Sequence, residues 1–173
     1  MSNSYDDVMA RRSDIMRRSL ALDYDSFQRG DLVFDYDALM SSTGYGLDAV
    51  ARIQAETKVG HTPLYELHRL TEAVRQIAGP GKGARILLKD EAANASGSFK
   101  ARRASLSAHE AQVKGFAGMV TATSGNYGAA VASQAAQRGL ACIVIQEIYD
   151  SQHIGQPEIV EKSRACEAYG AEV

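Results

Sequence analysis

The sequence predicts an α/β protein with a parallel sheet flanked by helices, and two observations support that prediction. Strand-like apolar runs alternate with helix-like runs of about a dozen residues, as in βαβ units. Pro157 and Gly170 suit the first turn and the C-terminal cap of the last such helix. The strand-like runs are 85–89, 118–122 and 141–146, and the helix-like runs are roughly 98–114, 126–138 and 156–169.

Length and composition are those of an ordinary globular protein. The chain has 173 residues, a net charge of −2 and 45% hydrophobic residues, so no bulk property indicates nucleic acid or an acidic membrane surface. We see no signal peptide and no apolar run of about 18 residues. Cys142 and Cys166 fit neither a CxxC motif nor a disulfide framework. We therefore expect buried, reduced thiols and a cytoplasmic protein.

Residues 1–58 are predicted to form a helical N-terminal extension, without chemistry that the sequence identifies. Residues 5–21 carry a helical apolar pattern whose arginine pairs are balanced by aspartates, which favours a solvated face or a subunit contact over nucleic acid. Residues 31–58 form a second helical stretch, broken at Gly44 and Gly46.

The region 59–173 is predicted to be the N-terminal part of a catalytic region. It begins with a turn at Gly60–Leu64 and a short extended segment, followed by a helix over 70–78 and a connector at 79–83 that lacks P-loop spacing. The chain ends at Ala171–Val173, where the alternation predicts another strand. We therefore expect that the region continues in a longer protein.

Lys100 is the candidate nucleophile. It follows the small-residue loop Ser96-Gly97-Ser98 and lies in the first turn of a predicted helix. The helix dipole opposes its charge by only roughly 0.3–1 kcal/mol, which is less than one pKa unit. A nucleophilic amine near pH 7 therefore requires that Lys100 be buried in a pocket.

The run Thr123–Gly128 is the candidate anion site, because it joins an apolar strand to the small-residue helix that begins at Asn126. Free backbone N–H groups at such a helix start bind anions. The alternative is a capped helix whose glycines allow tight packing. Lys89-Asp90-Glu91 either shapes this site or forms an exposed charged turn. The four histidines have no metal-ligand spacing, so no metal is predicted.

Four motifs in order give this chain a family resemblance: Gly60–Leu64, Leu88–Glu91, Asn94–Lys100 with Arg102, and Thr123–Gly128. They resemble those of fold-type II enzymes dependent on pyridoxal 5′-phosphate (PLP), such as threonine synthase, cysteine synthase, serine and threonine dehydratases and the tryptophan synthase beta subunit. The resemblance implies a tryptophan synthase beta-like fold. Ala95 stands where the family often has proline, and the family's phosphate cradle and pyridine-nitrogen partner lie further downstream.

The resemblance also implies roles for individual residues. Lys100 would form the Schiff base with PLP, and Asn126 would hydrogen-bond the cofactor's 3′-oxygen. The substrate carboxylate would be held by the turn that consists of Thr123, Ser124, Gly125, Asn126 and Tyr127.

Within the family, the Ala101–Ala104 continuation and the aspartate- and arginine-rich front third resemble the beta subunits of 2-amino-4-oxopentanoate thiolases. That resemblance implies cleavage of this substrate by coenzyme A (CoA), in ornithine degradation, to acetyl-CoA and alanine in the D form. It also implies a small alpha subunit and a hetero-oligomer.

Two alternatives remain open at this stage. One is an enzyme that eliminates or replaces a group on serine, threonine or a related amino acid. The other is an inactive fragment that only folds or binds a partner. For residues 1–173 alone we expect weak PLP binding and no turnover.

Overall fold

The computed structural model describes residues 4–30 and 32–173. The chain divides into two compact units, Met1–Asp48 and Ala49–Val173. Its helices are α1 (Tyr5–Ala10), α2 (Arg12–Leu20), α3 (Tyr36–Ser42), α4 (Leu47–Glu56), α5 (His68–Ala78), α6 (Lys100–Val113), α7 (Asn126–Gln137) and α8 (Pro157–Ala168). Its strands are β1 (Gln28–Arg29), β2 (Val33–Phe34), β3 (Leu64–Glu66), β4 (Leu87–Lys89), β5 (Gly118–Thr123) and β6 (Ala141–Gln146).

The first unit contains a small hairpin that the sequence reading missed. The predicted helix over 5–21 is divided at Arg11 into α1 and α2. Within the predicted helical stretch 31–58, of which Asp31 lies outside the described residues, β2 pairs antiparallel with β1. Aromatic contacts explain the difference, because the ring of Phe34 stacks on Tyr24 at 4.2 Å and meets Tyr36 edge-on at 4.8 Å.

The predicted break at Gly44 and Gly46 is confirmed, since α3 ends at Ser42 and α4 begins at Leu47. Asp35 caps α3, because its Oδ1 accepts the backbone N–H of Ala38 at 2.9 Å.

The second unit contains two separate two-stranded sheets. The predicted strand at 85–89 is observed as β4, but it pairs antiparallel with β3 rather than joining the parallel sheet. The parallel sheet consists of β5 and β6, aligned from Gly118 opposite Ala141 to Thr123 opposite Gln146. Helix α7 makes the crossover between them, as the βαβ pattern predicted.

The last residues begin a third strand beside β6. The backbone N–H of Glu172 donates to Cys142 O at 2.9 Å, and Glu172 O accepts the N–H of Val144 at 2.7 Å. Pro157 is the first residue of α8, as predicted. Gly170 ends that helix with a φ of 87°, a left-handed conformation that favours glycine.

The core of the second unit is built around α7. Its buried residues include Ala129, Ala130, Val131, Ala132 and Ala135, and they pack with Ala104 of α6, Cys142 and Val144 of β6, and Cys166 of α8. Both cysteines are free and buried, as predicted, and burial raises the pKa of each thiol. Small side chains let α7 approach its neighbours closely. Within 4–30 and 32–173, no helix is long and apolar enough to span a membrane.

We expect Gly128→Ala to destabilise the protein by about 1–3 kcal/mol. A Cβ at Gly128 would lie 2.4 Å from Thr123 Cγ2 and 2.9 Å from Val144 Cγ1. Both belong to β-branched side chains with restricted rotamers, so neither yields easily. Urea unfolding followed by circular dichroism measures the effect.

The matched control is Gly125→Ala in the same turn. Its Cβ would meet no atom within 4 Å, and its φ of 178° is extended backbone that any residue adopts. Equal stability of the two variants would contradict the packing that the structure gives Gly128.

Candidate functional site

The candidate site lies where α6 and α7 begin, because the two helices pack side by side in the same direction. Near their C-terminal ends, Arg138 Nη1 donates to Gln112 Oε1 at 3.0 Å. Near their first turns, Arg103 Cζ lies 4.9 Å from the ring centroid of Tyr127. The structure therefore brings Lys100 and the turn before α7 to the same end of the unit.

Lys100 is the first residue of α6 and is partly buried. Its Nζ lies 4.5 Å from the ring centroid of Phe99, whose side chain is itself exposed. Its backbone N–H donates to Ser98 Oγ at 3.3 Å. The full burial that the nucleophile hypothesis requires is therefore met only in part.

The loop before Lys100 is fixed to α6 by an ion pair. Arg102 Nε donates to Glu91 Oε2 at 2.7 Å, and Arg102 Nη2 donates to Glu91 Oε1 at 2.8 Å. This two-point geometry is the strongest form of a guanidinium–carboxylate contact. Hydrogen bonding from Arg102 is the main reason that the pKa of Glu91 is lowered to about 2. The sequence left two interpretations of Lys89-Asp90-Glu91, a role in shaping the site and an exposed charged turn. The contacts of Glu91 favour the first.

Further hydrogen bonds surround the Glu91–Arg102 ion pair. Thr62 Oγ1 donates to Glu91 Oε1 at 2.7 Å, and Asn94 Nδ2 donates to Glu91 Oε2 at 3.1 Å. Buried Asn94 also accepts the Gly60 N–H through Oδ1 at 3.0 Å. Lys89 Nζ donates to the carbonyl of Thr62. The motif residues that the sequence left far apart are thus joined in one network.

Helix α4, the residue that follows it and helix α7 contribute residues that the sequence analysis did not identify. Gln54 Nε2 donates to Arg102 O at 3.2 Å, and Thr57 Oγ1 donates to Gln134 Oε1 at 2.6 Å. Gln54, Thr57 and Gln134 are all buried. No sequence signal marks these polar residues, because each one's partner lies at least 48 positions away.

The turn before α7 is organised by Thr123. Its Oγ1 accepts the backbone N–H of Gly125 at 3.1 Å and that of Gly128 at 3.3 Å. The side of Gly125 where a Cβ would point is open. The first N–H groups of an α-helix have no intrahelical acceptor and favour anions. Ser124 and Asn126 are exposed and Tyr127 is partly buried at this helix start, so the predicted anion site is accessible.

The loop before Lys100 also contains a hydroxyl without a protein partner. Ser96 Oγ is buried, and no hydrogen-bond partner for it lies among the described residues. Leaving a buried hydroxyl unpaired costs free energy, so such a group is a candidate ligand contact. No cluster of three or more His, Cys, Asp or Glu side chains suited to a metal occurs in the part of the chain that the structure describes.

Comparison with known proteins identifies the family that this fold and site define. Residues 55–173 match the family described as pyridoxal-phosphate dependent enzyme, and the chain belongs to that family. The predicted PLP dependence and fold-type II resemblance are thereby confirmed.

Comparison with individual proteins gives more detailed similarities. The chain is 60% identical, over 98% of its length, to a protein from an unidentified prokaryote named 2-amino-4-ketopentanoate thiolase beta subunit. It is 56% identical over the same share to a protein of that name from Acetoanaerobium sticklandii. It spans 36% of the length of each. A solved cysteine synthase from Entamoeba histolytica is 31% identical with a TM-score of 0.53, over 68% of this chain and 32% of that one.

The described residues fit one side of a PLP site. Lys100 offers an amine, Ser96 a buried hydroxyl without a partner, and the turn at 123–128 an accessible helix start. PLP carries an aldehyde and polar oxygens, so these groups match its chemistry. Lys100, Ser96 and Asn126 are therefore the first candidates for contacts with the cofactor.

We expect Glu91→Gln to lower the free energy of unfolding at pH 7 by about 2 kcal/mol, because it weakens hydrogen bonds between charged groups. The pKa of Glu91 is about 2 when folded, against an ordinary value of 4.5. The ion pair therefore stabilises the protein fully above about pH 4.5, and this contribution is lost as the pH falls from there to about 2.

Urea unfolding at pH 7, 5 and 3 measures this linkage, and exposed Glu161→Gln is the control. The Glu91→Gln variant should lose less stability between pH 5 and pH 3 than the parent protein. An unchanged pH dependence in that variant would contradict the assignment.

Proposed function

We propose that this chain carries the lysine side of the active site of a PLP-dependent thiolase beta subunit, which cleaves 2-amino-4-oxopentanoate with CoA. The observation that supports the proposal most directly is the placement of Lys100 and the Thr123–Gly128 turn at the common end of α6 and α7. The identity of 60% and 56% to proteins named for this activity supports the choice of substrate.

The proposal gives each site residue a defined role. Lys100 Nζ holds the cofactor, and the Asn126 side chain hydrogen-bonds its 3′-oxygen. The N–H groups and hydroxyls of Thr123, Ser124, Gly125 and Tyr127 orient the substrate carboxylate, as helix starts do for anions. When bound, PLP supplies an electron sink for the pair left by carbon–carbon cleavage.

The proposed reaction forms two bonds and breaks two. The S–H bond of CoA breaks and its sulfur bonds to C4 of the substrate, while the C3–C4 bond breaks and C3 takes up a proton. The products are acetyl-CoA and alanine, in the D form by analogy with the thiolases. Lys100 Nζ would also be the group that moves protons at the substrate carbons.

A second candidate function is elimination or replacement on serine, threonine or a related amino acid. The likeness to the cysteine synthase structure favours it, since that likeness extends over 68% of this chain. The described side of the site suits either reaction. The two differ in the bond that breaks. The thiolase cleaves a carbon–carbon bond with CoA, whereas the second candidate expels a side-chain substituent and, in an elimination, releases ammonia.

We propose two further properties of the whole protein. An alpha subunit is its partner, because the relatives at 60% and 56% identity are named beta subunits. Its location is the cytoplasm, which suits two buried free thiols.

Lys100→Ala is expected to abolish covalent labelling by PLP. After incubation with PLP and reduction with borohydride, mass spectrometry should find the pyridoxyl group on the peptide that contains Lys100. The control is Lys114→Arg at the opposite end of α6, which should label like the parent. Labelling spread equally over surface lysines would contradict the cofactor assignment.

The activity test uses the natural polypeptide that carries residues 1–173, produced with the alpha subunit. We expect acetyl-CoA to form from 2-amino-4-oxopentanoate and CoA, with no ammonia released from serine. Ammonia release without CoA would support the second candidate instead. For residues 1–173 alone we expect weak PLP labelling and no turnover, and sustained turnover by them would contradict that expectation.

A further inference from the structure

Arg103 is a cation beside the candidate site that has no role in the function proposed above. It is exposed and lies three residues after Lys100 in α6. Side chains three positions apart lie on the same face of a helix. Arg103 therefore extends over the side of α6 from which Lys100 projects.

The charge of Arg103 is not neutralised by the protein residues that the structure describes. Arg102 forms its ion pair with Glu91, whereas Arg103 forms none with any described carboxylate. The first turn of α6 contains no acidic residue. A cation in this position is opposed by the helix dipole. This arrangement costs stability, and an anionic ligand would remove that cost.

Tyr127 holds Arg103 in place without occupying its hydrogen-bond donors. The guanidinium carbon lies 4.9 Å from the ring centroid of Tyr127, within the range of a cation–π contact. No hydrogen bond from the Arg103 guanidinium to another described residue is present. Tyr127 is also part of the turn proposed to bind the substrate carboxylate. Arg103 is thereby fixed at the rim of the site with its donors available.

We propose that Arg103 is a specificity-determining residue that binds a phosphate group of CoA at the entrance of the site. The inference rests on the proposed thiolase function, in which CoA is the co-substrate. A guanidinium binds phosphate through two parallel hydrogen bonds, and an exposed position suits the part of a long ligand that remains outside the pocket. The phosphate of PLP is the other source of the same chemistry.

The experiment compares the natural polypeptide with its Arg103→Ala and Arg103→Lys variants, produced with the alpha subunit. Calorimetry measures binding of CoA and of pantetheine, which has the same thiol but no phosphate. Steady-state kinetics measures KM and kcat for both thiols. PLP and pyridoxal labelling of Lys100 tests the cofactor's phosphate. Exposed Arg164→Ala on α8 is the matched control.

We expect Arg103→Ala to weaken CoA binding and to raise KM for CoA roughly tenfold, with little change in kcat. Arg103→Lys should recover part of the loss, and Arg164→Ala should behave like the parent. Binding of pantetheine and labelling by PLP should be unchanged.

Three results would overturn the inference. Unchanged CoA binding in Arg103→Ala, or no CoA binding by the parent, would exclude the contact. An equal loss for pantetheine would mean that Arg103 only supports Tyr127. A loss in PLP labelling with pyridoxal unaffected would assign the phosphate to the cofactor. Failure of the thiolase proposal is seen separately, as absence of acetyl-CoA formation in the parent.

Discussion

The ion pair between Glu91 and Arg102 is the constraint on which the candidate site depends. Residues 94–99 contain no regular helix or strand, so their backbone is not fixed by a ladder of hydrogen bonds. The pair joins the segment just before this loop to the first turn of α6. Lys100 lies between Glu91 and Arg102 in the chain. Its side chains are 21% and 35% exposed, so water screens the pair less than a fully exposed one. The pair thus restrains the backbone on both sides of Lys100.

The candidate site also requires that α6 and α7 run in the same direction. Both helices begin at the same end, and at that end β5 leads directly into the turn before α7. In a parallel unit the helix starts gather at the carboxyl ends of the strands, where their N–H groups converge. The alanines of α7 permit the close packing that keeps the helices aligned. The amine of Lys100 and the turn predicted to bind an anion are therefore neighbours as a result of topology.

The sequence predicts features that depend on local signals and misses those that depend on contacts between distant residues. Strand β6 and helix α7 were located to within one residue, because apolar runs and helix caps are local signals. Lys100 and the Thr123–Gly128 turn were recognised from motifs that are contiguous in the chain. The antiparallel pairing of β3 with β4, and the bond from Gln54 to Arg102, join distant residues and leave no local pattern.

The exposure of the Lys100 side chain to water bears directly on its proposed role. Phe99 covers the amine from one side, and the side chain remains partly exposed. Desolvation disfavours the charged form of an amine, so the burial that the nucleophile hypothesis requires is met only in part. In the proposed site, a ligand seated against Lys100 would exclude further water from it. Cofactor affinity and lysine reactivity would then be coupled, and a change that loosens the loop from 91 to 99 would reduce both together.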